Sequence, residues 1–364
     1  MQKIAVLGAG MVGAAIALDL AKQFEVSSLD RSMDQLKAIK HENGAIQTQQ
    51  LDASDTTKLK NALLPFDLVV CAVPGFMGYQ TLKTIIECGK NVVDISFFPE
   101  DALALNDLAK KNRVTAIVDC GVAPGLSNLI LGYENEQNIL TSFECYVGGL
   151  PVERNPPYEY KAPFSPIDVI EEYTRPARIF ENGKVLTKPA LSEIELLALP
   201  EIGELEAFNS DGLRSLLVTM KHIPNLKEKT LRYPGHAAKM QDLSDAGFFN
   251  SKHVGHTAKV LFEDWKLLPT DDEFTVMQIR LITANKEINY YLFDRRDKTT
   301  GISSMSRTTG YTATGAINLL VNGLFDNKGV FPPELIGADP NCFHAMLAHL
   351  KARKIDIQRS EQLF

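Results

Sequence analysis

With one tryptophan, seven histidines and five cysteines in 364 residues, the chain is poor in three residue types, and each scarcity removes a class of protein. Cys71, Cys88, Cys120, Cys145 and Cys342 are odd in number, widely spaced and never arranged as CxxC, which excludes a disulfide scaffold and a cysteine zinc site. His253 and His256 form the one close histidine pair and have no third ligand nearby in sequence, so no metal site is expected. Positive charge is also short: 38 Lys and Arg against 45 Asp and Glu leave a net charge of -7. Phosphate backbones are held by clustered cations, so a nucleic-acid partner is not expected. No apolar run approaches the roughly 18 residues of a membrane span. The opening MQKIAVLGAG is broken by glycine too early for a signal peptide. A cytoplasmic location with no membrane partner is the expectation.

What remains is an ordinary globular composition, 45% hydrophobic and 23% charged, in a chain long enough for two cores. The first third alternates short apolar runs with amphipathic stretches, as βαβ units do. Strands are expected at 3–7, 26–29, 46–49, 67–73, 91–95 and 114–119, with a small-residue helix over 11–22. Repeated crossovers of this length predict a doubly wound parallel sheet. The rhythm changes after about residue 140. Five prolines fall in residues 150–166, which marks a loop. Two β-rich runs at 274–284 and 287–296 meet at Asn285-Lys286, a credible hairpin turn. Helical periodicity returns at 311–320 and 341–353. The reading is α/β: a Rossmann sheet with an inserted α+β substrate domain on a mostly antiparallel sheet. Its long β-rich segments make a homo-oligomer expected.

Gly8-Ala9-Gly10-Met11-Val12-Gly13 fits GxGxxG, a weak pattern alone but a strong one after an apolar strand and before a small-residue helix. Gly8 permits the tight turn, Gly10 lets the backbone approach a pyrophosphate, and Gly13 lets helix and strand pack closely. The pyrophosphate then meets the positive end of the helix. Asp30 ends the second strand about 20 residues on, where an acid binds the ribose hydroxyls and repels a 2′-phosphate. NAD is therefore the expected cofactor. Arg31 beside it offers a guanidinium to a 2′-phosphate or to the adenine face, so NADP stays open. Ala72, Val73 and Pro74 follow the fourth strand and are expected to line the cofactor cleft, and Asp52 is a further candidate on the adenine side.

Beyond this domain the chain resembles the saccharopine dehydrogenase-like family, and within it the lysine 6-dehydrogenases. The resemblance is carried, in family order, by Asp119-Cys120-Gly121-Val122-Ala123-Pro124-Gly125-Leu126, Gly148-Gly149-Leu150-Pro151, Tyr160-Lys161 with Phe164-Ser165-Pro166, Ser210-Asp211-Gly212-Leu213-Arg214, Thr230-Leu231-Arg232-Tyr233-Pro234-Gly235-His236 and Arg307-Thr308-Thr309-Gly310-Tyr311. It implies a Rossmann domain at 1–125 plus 306–364 and a substrate and oligomerisation domain at 126–305. Saccharopine reductases usually carry an acid where this chain has Ala123, a cysteine where it has Val147 and a tyrosine near Phe97. These departures favour the lysine 6-dehydrogenase branch.

The implied chemistry is oxidation of a carbon bonded to nitrogen in an amino acid. A free lysine ammonium, with a pKa of about 10.4, must lose a proton before hydride can leave. Lys161 is the leading base, because burial beside a cationic substrate promotes proton loss; the alternatives are a carboxylate contact or a surface loop lysine. Asp119 is expected to bind the substrate ammonium or to cap a helix, and Cys120 beside it to touch substrate or pack as a thiol. Arg214 and Arg232 are candidates for the α-carboxylate, since guanidinium grips it bidentately. Asp211 and Asn209 are candidates for the amino group, and His236 for a proton relay near neutral pH. Two other readings stand beside deamination. One is reductive condensation of an amine with a carbonyl, as in saccharopine or carboxynorspermidine synthesis. The other is a non-catalytic NAD-binding module.

Overall fold

The computed structural model describes residues 2–163 and 166–364, with only the backbone of Pro166 and Ile167. Phe164 and Ser165 of the Tyr160-Lys161 motif lie outside the described residues. The chain opens with β1 (Lys3–Leu7), α1 (Met11–Leu20), β2 (Glu25–Asp30), α2 (Met33–Glu42), β3 (Gln47–Gln50), α3 (Thr56–Leu63), β4 (Leu68–Cys71), α4 (Gly75–Glu87), β5 (Asn91–Asp94), α5 (Asn106–Lys111), β6 (Thr115–Ile117) and α6 (Leu126–Gln137). The middle holds β7 (Ser142–Pro151), α7 (Pro166–Thr174), β8 (Ala177–Glu181), β9 (Lys184–Lys188), β10 (Glu195–Leu199), β11 (Gly203–Asn209), α8 (Leu216–Thr219), β12 (Asn225–Arg232), α9 (His236–Asp245), α10 (Val254–Trp265), β13 (Glu273–Ile282) and β14 (Lys286–Arg295). Then come α11 (Ser304–Val321), β15 (Gly329–Phe331), α12 (Pro333–Gly337), α13 (Pro340–Ala352) and β16 (Ile357–Leu363).

Two compact units emerge: Met1–Glu136 with Ser306–Lys354, and Gln137–Met305 with Ile355–Phe364. They divide the chain differently from the 1–125, 306–364 and 126–305 expected from sequence. α6 packs within the first unit, because Gly132 lets it touch the Glu334 backbone and Gly337 lets α12 touch Leu129. The last strand leaves that unit, because Ile357–Leu363 pairs with β14.

The first unit is a seven-stranded parallel sheet in the order β15-β6-β5-β4-β1-β2-β3. The apolar residues of β1, β4 and β5 are buried, each full burial of a Val, Leu or Ile contributing about 1.5–3 kcal/mol. The chain winds outward from β1 through β2 to β3, then returns to β4 on the other side. That reversal opens a crevice at the carboxyl ends of β1 and β4, where such sheets bind ligands. β15 was not foreseen; three residues at the far edge carry no periodicity of their own. α11 crosses α1 at Gly310, where an added Cβ would lie 3.2 Å from Ile16. α13 is tied to α1 by Arg353, whose Nε donates to the buried Asp19 at 2.7 Å.

The second unit is built on a mixed sheet ordered β10-β11-β12-β7-β13-β14-β16, with β8 and β9 attached beside β12. Its pairs are antiparallel except β12 with β7. The expected hairpin is β13–β14, turning through Thr283–Lys286, where Thr283 N–H donates to the Lys286 carbonyl. Gly148 and Gly149 in β7 permit two close approaches. A Cβ on the first would meet the Leu231 carbonyl oxygen at 2.6 Å, and one on the second would meet Met305 at 2.8 Å and Pro163 at 3.0 Å.

A Cβ at Gly132 would fall 2.0 Å from the Glu334 carbonyl oxygen, whereas at Gly44 it would meet nothing. Gly132→Ala is therefore expected to destabilise the protein by about 1–3 kcal/mol, and Gly44→Ala to stay within about 0.5–1 kcal/mol of wild type. Urea unfolding of the two variants measures the contrast.

Candidate functional site

The nucleotide end of the first unit grows from two glycines that cannot be replaced. Gly8 sits at φ +101, and a Cβ there would lie 2.3 Å from the Ala72 carbonyl oxygen. At Gly13 a Cβ would lie 2.1 Å from the Gly8 oxygen. Gly10 differs, since nothing lies within 4 Å of where its Cβ would be. It is the N-cap of α1 and offers no side-chain acceptor to the helix's first amides, and Met11 is 44% exposed. Asp30 fixes this loop: Oδ2 accepts from Ala9 N–H and Oδ1 from Ser32 N–H, both at 2.7 Å. A carboxylate oxygen has more than one lone pair, so both can still accept from a ribose. The cradle fits a dinucleotide pyrophosphate and ribose.

The remaining cofactor candidates divide. Ala72 is half-buried, Val73 buried, and exposed Pro74 caps α4 at the same edge. Asp52 is exposed and holds a turn, accepting from Ser54 N–H and its hydroxyl. Those bonds, with Arg31 contributing more weakly, keep its carboxyl below the usual range. Arg31 is exposed, and its carbonyl accepts from Gln50.

Two strands along, Asp119 follows β6, buried and held at φ 52. Asp94 at the end of β5 accepts from Ser96 N–H, and its carbonyl receives Cys120 N–H. Sequence reading missed Asp94 and Ser96, whose only signal is their place after an apolar strand. Burial pushes the Cys120 thiol well up, so it is packed and protonated. The Gly121–Gly125 loop folds back on itself: a Cβ at Gly125 would lie 1.9 Å from the Gly121 oxygen.

In the second unit, β12 delivers Arg232 into an aromatic nest, 2% exposed. Its Nη2 donates to Glu172 Oε2 at 2.7 Å and to Tyr160 Oη at 3.4 Å, Nε to Tyr173 Oη at 3.2 Å, and Nη1 to the Leu231 carbonyl at 2.9 Å. The guanidinium lies 4.3 Å above the Tyr160 ring, and Trp265 packs edge-on against Tyr160 and Tyr173. Burial pushes the Glu172 carboxyl up, against the pull of Arg232. Arg232, read from sequence as a carboxylate anchor, thus spends its donors inside the chain. Glu172 and Tyr173 were missed, because nothing in a helical EEY marks a partner 60 residues away.

His236 joins the same nest. Its Nδ1 lies 2.9 Å from the Tyr158 carbonyl, which can only accept, so Nδ1 carries the proton. Nε2 then accepts from the Tyr173 hydroxyl at 3.0 Å. Burial, with Arg232 adding to it, lowers the pKa to about 3. The imidazole is neutral at physiological pH, a correction to the relay expected near neutrality. Glu206, also missed, accepts from Gly235 and Ala237 N–H and caps α9.

Asp211 is bound bidentately by Arg178, Nε to Oδ1 at 2.9 Å and Nη2 to Oδ2 at 2.8 Å. Asn209 donates through Nδ2 to Ser192 and Glu193. Both are internal bonds where substrate contacts were expected. Lys161 is half-buried beside the nest and donates to the Asp264 carbonyl at 2.9 Å. Arg214 is half-exposed at φ 45. Among the described residues no cluster of metal ligands occurs, and no helix is long and apolar enough to cross a membrane.

His236 carries a signed pH dependence. The folded imidazole stays neutral down to about pH 3, while the unfolded one gains a proton below about 6.5. Its contribution is present above pH 6.5 and lost as pH falls towards 3, by at most about 1.4 kcal/mol per unit. Glu273 opposes this, because burial raises its carboxyl to about 7 and so lowers stability as pH rises from about 4.5 to 7. The difference between wild type and His236→Gln isolates the histidine. The gap in unfolding free energy is expected to shrink steadily from pH 6.5 to 4; a constant gap would mean that the imidazole is protonated in the fold.

The family comparison fits this geometry. Residues 4–117 match the Saccharopine dehydrogenase NADP binding domain, and residues 121–355 the Saccharopine dehydrogenase C-terminal domain. The alpha-aminoadipic semialdehyde synthase of Arabidopsis thaliana is 28% identical over 57% of this chain and 21% of its own length. The saccharopine dehydrogenase [NADP(+), L-glutamate-forming] of Schizosaccharomyces pombe is 26% identical over 69% and 59%. The chain therefore spans less than two thirds of either relative. The carboxyaminopropylagmatine dehydrogenase of Synechocystis is 24% identical over 93% of this chain and 94% of its own. The apo saccharopine dehydrogenase (L-Glu forming) of Saccharomyces cerevisiae superposes with a TM-score of 0.80 at 18% identity, covering 100% of both chains, and shares the fold. With its glycine cradle in the family's NADP-binding region and Arg232 and His236 in its C-terminal region, the chain belongs to the saccharopine dehydrogenase family, whose cofactor is NAD(P).

Proposed function

We propose that the protein is an NAD(P)-dependent oxidoreductase acting on a C–N bond of an amino acid, and that it oxidises a primary amine, lysine at its ε-carbon being the leading substrate. The carrying observation is the carboxyl edge of the first unit, where Asp119 stands buried after β6 and Ala123 takes the place of the reductases' acid. With Ala123 in that place, the Gly121–Gly125 loop supplies no acid of its own. When bound, the nicotinamide supplies the hydride acceptor. The chain's residues do the rest. In the first unit Asp119 is the candidate for the amine; in the second, Lys161 is the candidate base and Arg214 the candidate anchor for the α-carboxylate. Loss of hydride leaves an iminium; water adds to its carbon and ammonia departs, giving the aldehyde.

A second reading is favoured by the Synechocystis relative, matched over nearly its full length. Its name describes a substrate whose nitrogen joins two carbon chains, which reductive condensation would make. NADH and ammonia formation with lysine alone supports the first reading. Silence with lysine, and NAD(P)H consumption with an amine plus a carbonyl acid, establishes the second. If Lys161 is the base, Lys161→Met lowers kcat by on the order of 10²-fold; a smaller fall with a raised KM makes it a binding residue.

Asp30 makes NAD the expected preference. Asp30→Ala removes a charged acceptor and should weaken NAD binding about 10- to 100-fold, while narrowing the gap to NADP. Tighter binding of NADP than of NAD by the unaltered protein overturns this.

A further inference from the structure

β16 is the terminal strand of the second unit's sheet, and it lacks the devices that keep edges apart. Natural edges carry Pro, Lys, a bulge or a run of charge. Ile357-Gln358-Arg359-Ser360-Glu361-Gln362-Leu363 has no Pro, Gly or Lys, and its two charges cancel. Its residues beyond Ile357 are exposed, and Leu363 and Phe364 are 75% and 72% exposed. The strand runs in uninterrupted antiparallel register with β14, from Ile357 opposite Leu292 to Leu363 opposite Lys286.

That register decides which backbone groups face outward. Phe364 N–H donates to the Asn285 carbonyl at 3.0 Å. Bonded pairs alternate along an antiparallel ladder, so Gln362, Ser360 and Gln358 also turn their N–H and C=O towards β14. Ile357, Arg359, Glu361 and Leu363 turn theirs to the outer edge.

We propose that this edge pairs with the same edge of a second copy, antiparallel about a two-fold axis through Ser360. Three two-fold registers near the strand centre can be compared. An axis at Arg359 sets Arg359 against itself, and one at Glu361 sets Glu361 against itself; like charges directly opposite destabilise a ladder. The axis at Ser360 sets Arg359 against Glu361 twice, Gln358 against Gln362 twice and Ile357 against Leu363 twice. It uses all seven residues. It also matches the hydrogen-bonding phase, because the outward-facing residues fall opposite one another and Ser360 meets its copy in a non-bonded pair. Within each chain Arg359 already donates to Glu361, so four alternating charges meet around the axis. The contact is isologous and closes at two, and β14 and β16 of both copies become one continuous sheet.

The test combines charge reversal and cross-linking on the full chain. By analytical ultracentrifugation the protein should dimerise with concentration. Arg359→Glu or Glu361→Arg alone should raise the dimer Kd about tenfold or more. The double variant R359E/E361R restores the opposite pairs and should return the Kd to within about threefold of wild type. In a non-bonded pair the Cα atoms sit about 4.5 Å apart, within disulfide reach. Ser360→Cys should therefore form a covalent dimer on mild oxidation, and Gln358→Cys, which faces Gln362, should not. A monomer at all concentrations overturns the proposal. So does a dimer whose Kd ignores both single reversals, or equal cross-linking of the two cysteine variants.

Discussion

The second unit depends on keeping one guanidinium out of water. Moving a cation into a protein interior costs several kcal/mol unless its hydrogen bonds are replaced, and Arg232 sits 2% exposed at the end of β12. Glu172 supplies the charge, while Tyr173, Tyr160 and the Leu231 carbonyl take further donors. Those partners come from α7, from the proline-rich loop and from β12 itself, so satisfying Arg232 fixes where α7 and the loop lie on the sheet. The effect spreads to α9. With its oxygen already accepting from Arg232, Tyr173 turns its hydroxyl hydrogen to His236, whose other nitrogen is committed to the Tyr158 carbonyl. Beside it in the ladder, Glu206 faces Arg232 across β11 and β12 and caps the helix that His236 begins. One buried charge thereby sets a helix, a loop, a tautomer and a cap.

The first unit solves its positioning problem by sterics. Its cradle depends on backbone meeting backbone at Gly8, Gly13 and Ala72, too close for any Cβ. Electrostatics enters behind the cradle, on the buried side of α1. Asp19 receives Arg353 Nε and the Thr314 hydroxyl, each at 2.7 Å. His349 Nε2 lies 2.8 Å from that hydroxyl. As Thr314 has given its hydrogen to Asp19, the imidazole N–H must be the donor, and His349 Nδ1 then accepts from Asn318. Burial, with Arg353 adding to it, lowers the His349 pKa to about 4, so the neutral tautomer persists. α13 is thereby locked to α1, the helix that follows the glycine cradle, and the two ends of the first unit become one support.

Sequence reading worked where the signal was local. The glycine turn between β1 and α1, the six alternating strands and the β13–β14 hairpin are each encoded within about 30 residues, in periodicity or turn chemistry. It failed where pairing is long-range or the strand is short. β15 has three residues, and β16 is polar, so neither shows a buried face. Side-chain roles were harder still. Arginine, aspartate and histidine in family-like motifs look the same whether they face a substrate or one another. Only the fold reveals that Asp211 meets Arg178 across 33 positions and that Arg232 meets Glu172 across 60.

This changes what the motifs in the second unit mean. Arg232, His236 and Asp211 have their polar atoms engaged with protein partners, as does Asn209 through its Nδ2, and releasing any of these groups to a ligand would strand a buried group at a cost of about 1–3 kcal/mol, more if charged. A substrate carboxylate would have to outbid Glu172 for Arg232 from within the interior, whereas a half-exposed cation needs only to exchange water. Lys161 and Arg214 are both half-exposed, and Lys161 donates to a backbone carbonyl, that of Asp264. Lys161 is also the residue after Tyr160, so the nest that buries Arg232 holds the backbone from which its side chain projects. The buried residues thus fix the frame of the second unit, and Lys161 and Arg214 sit at more exposed positions on it. Specificity within such a frame can change by replacing rim residues without disturbing the ion pair that holds it.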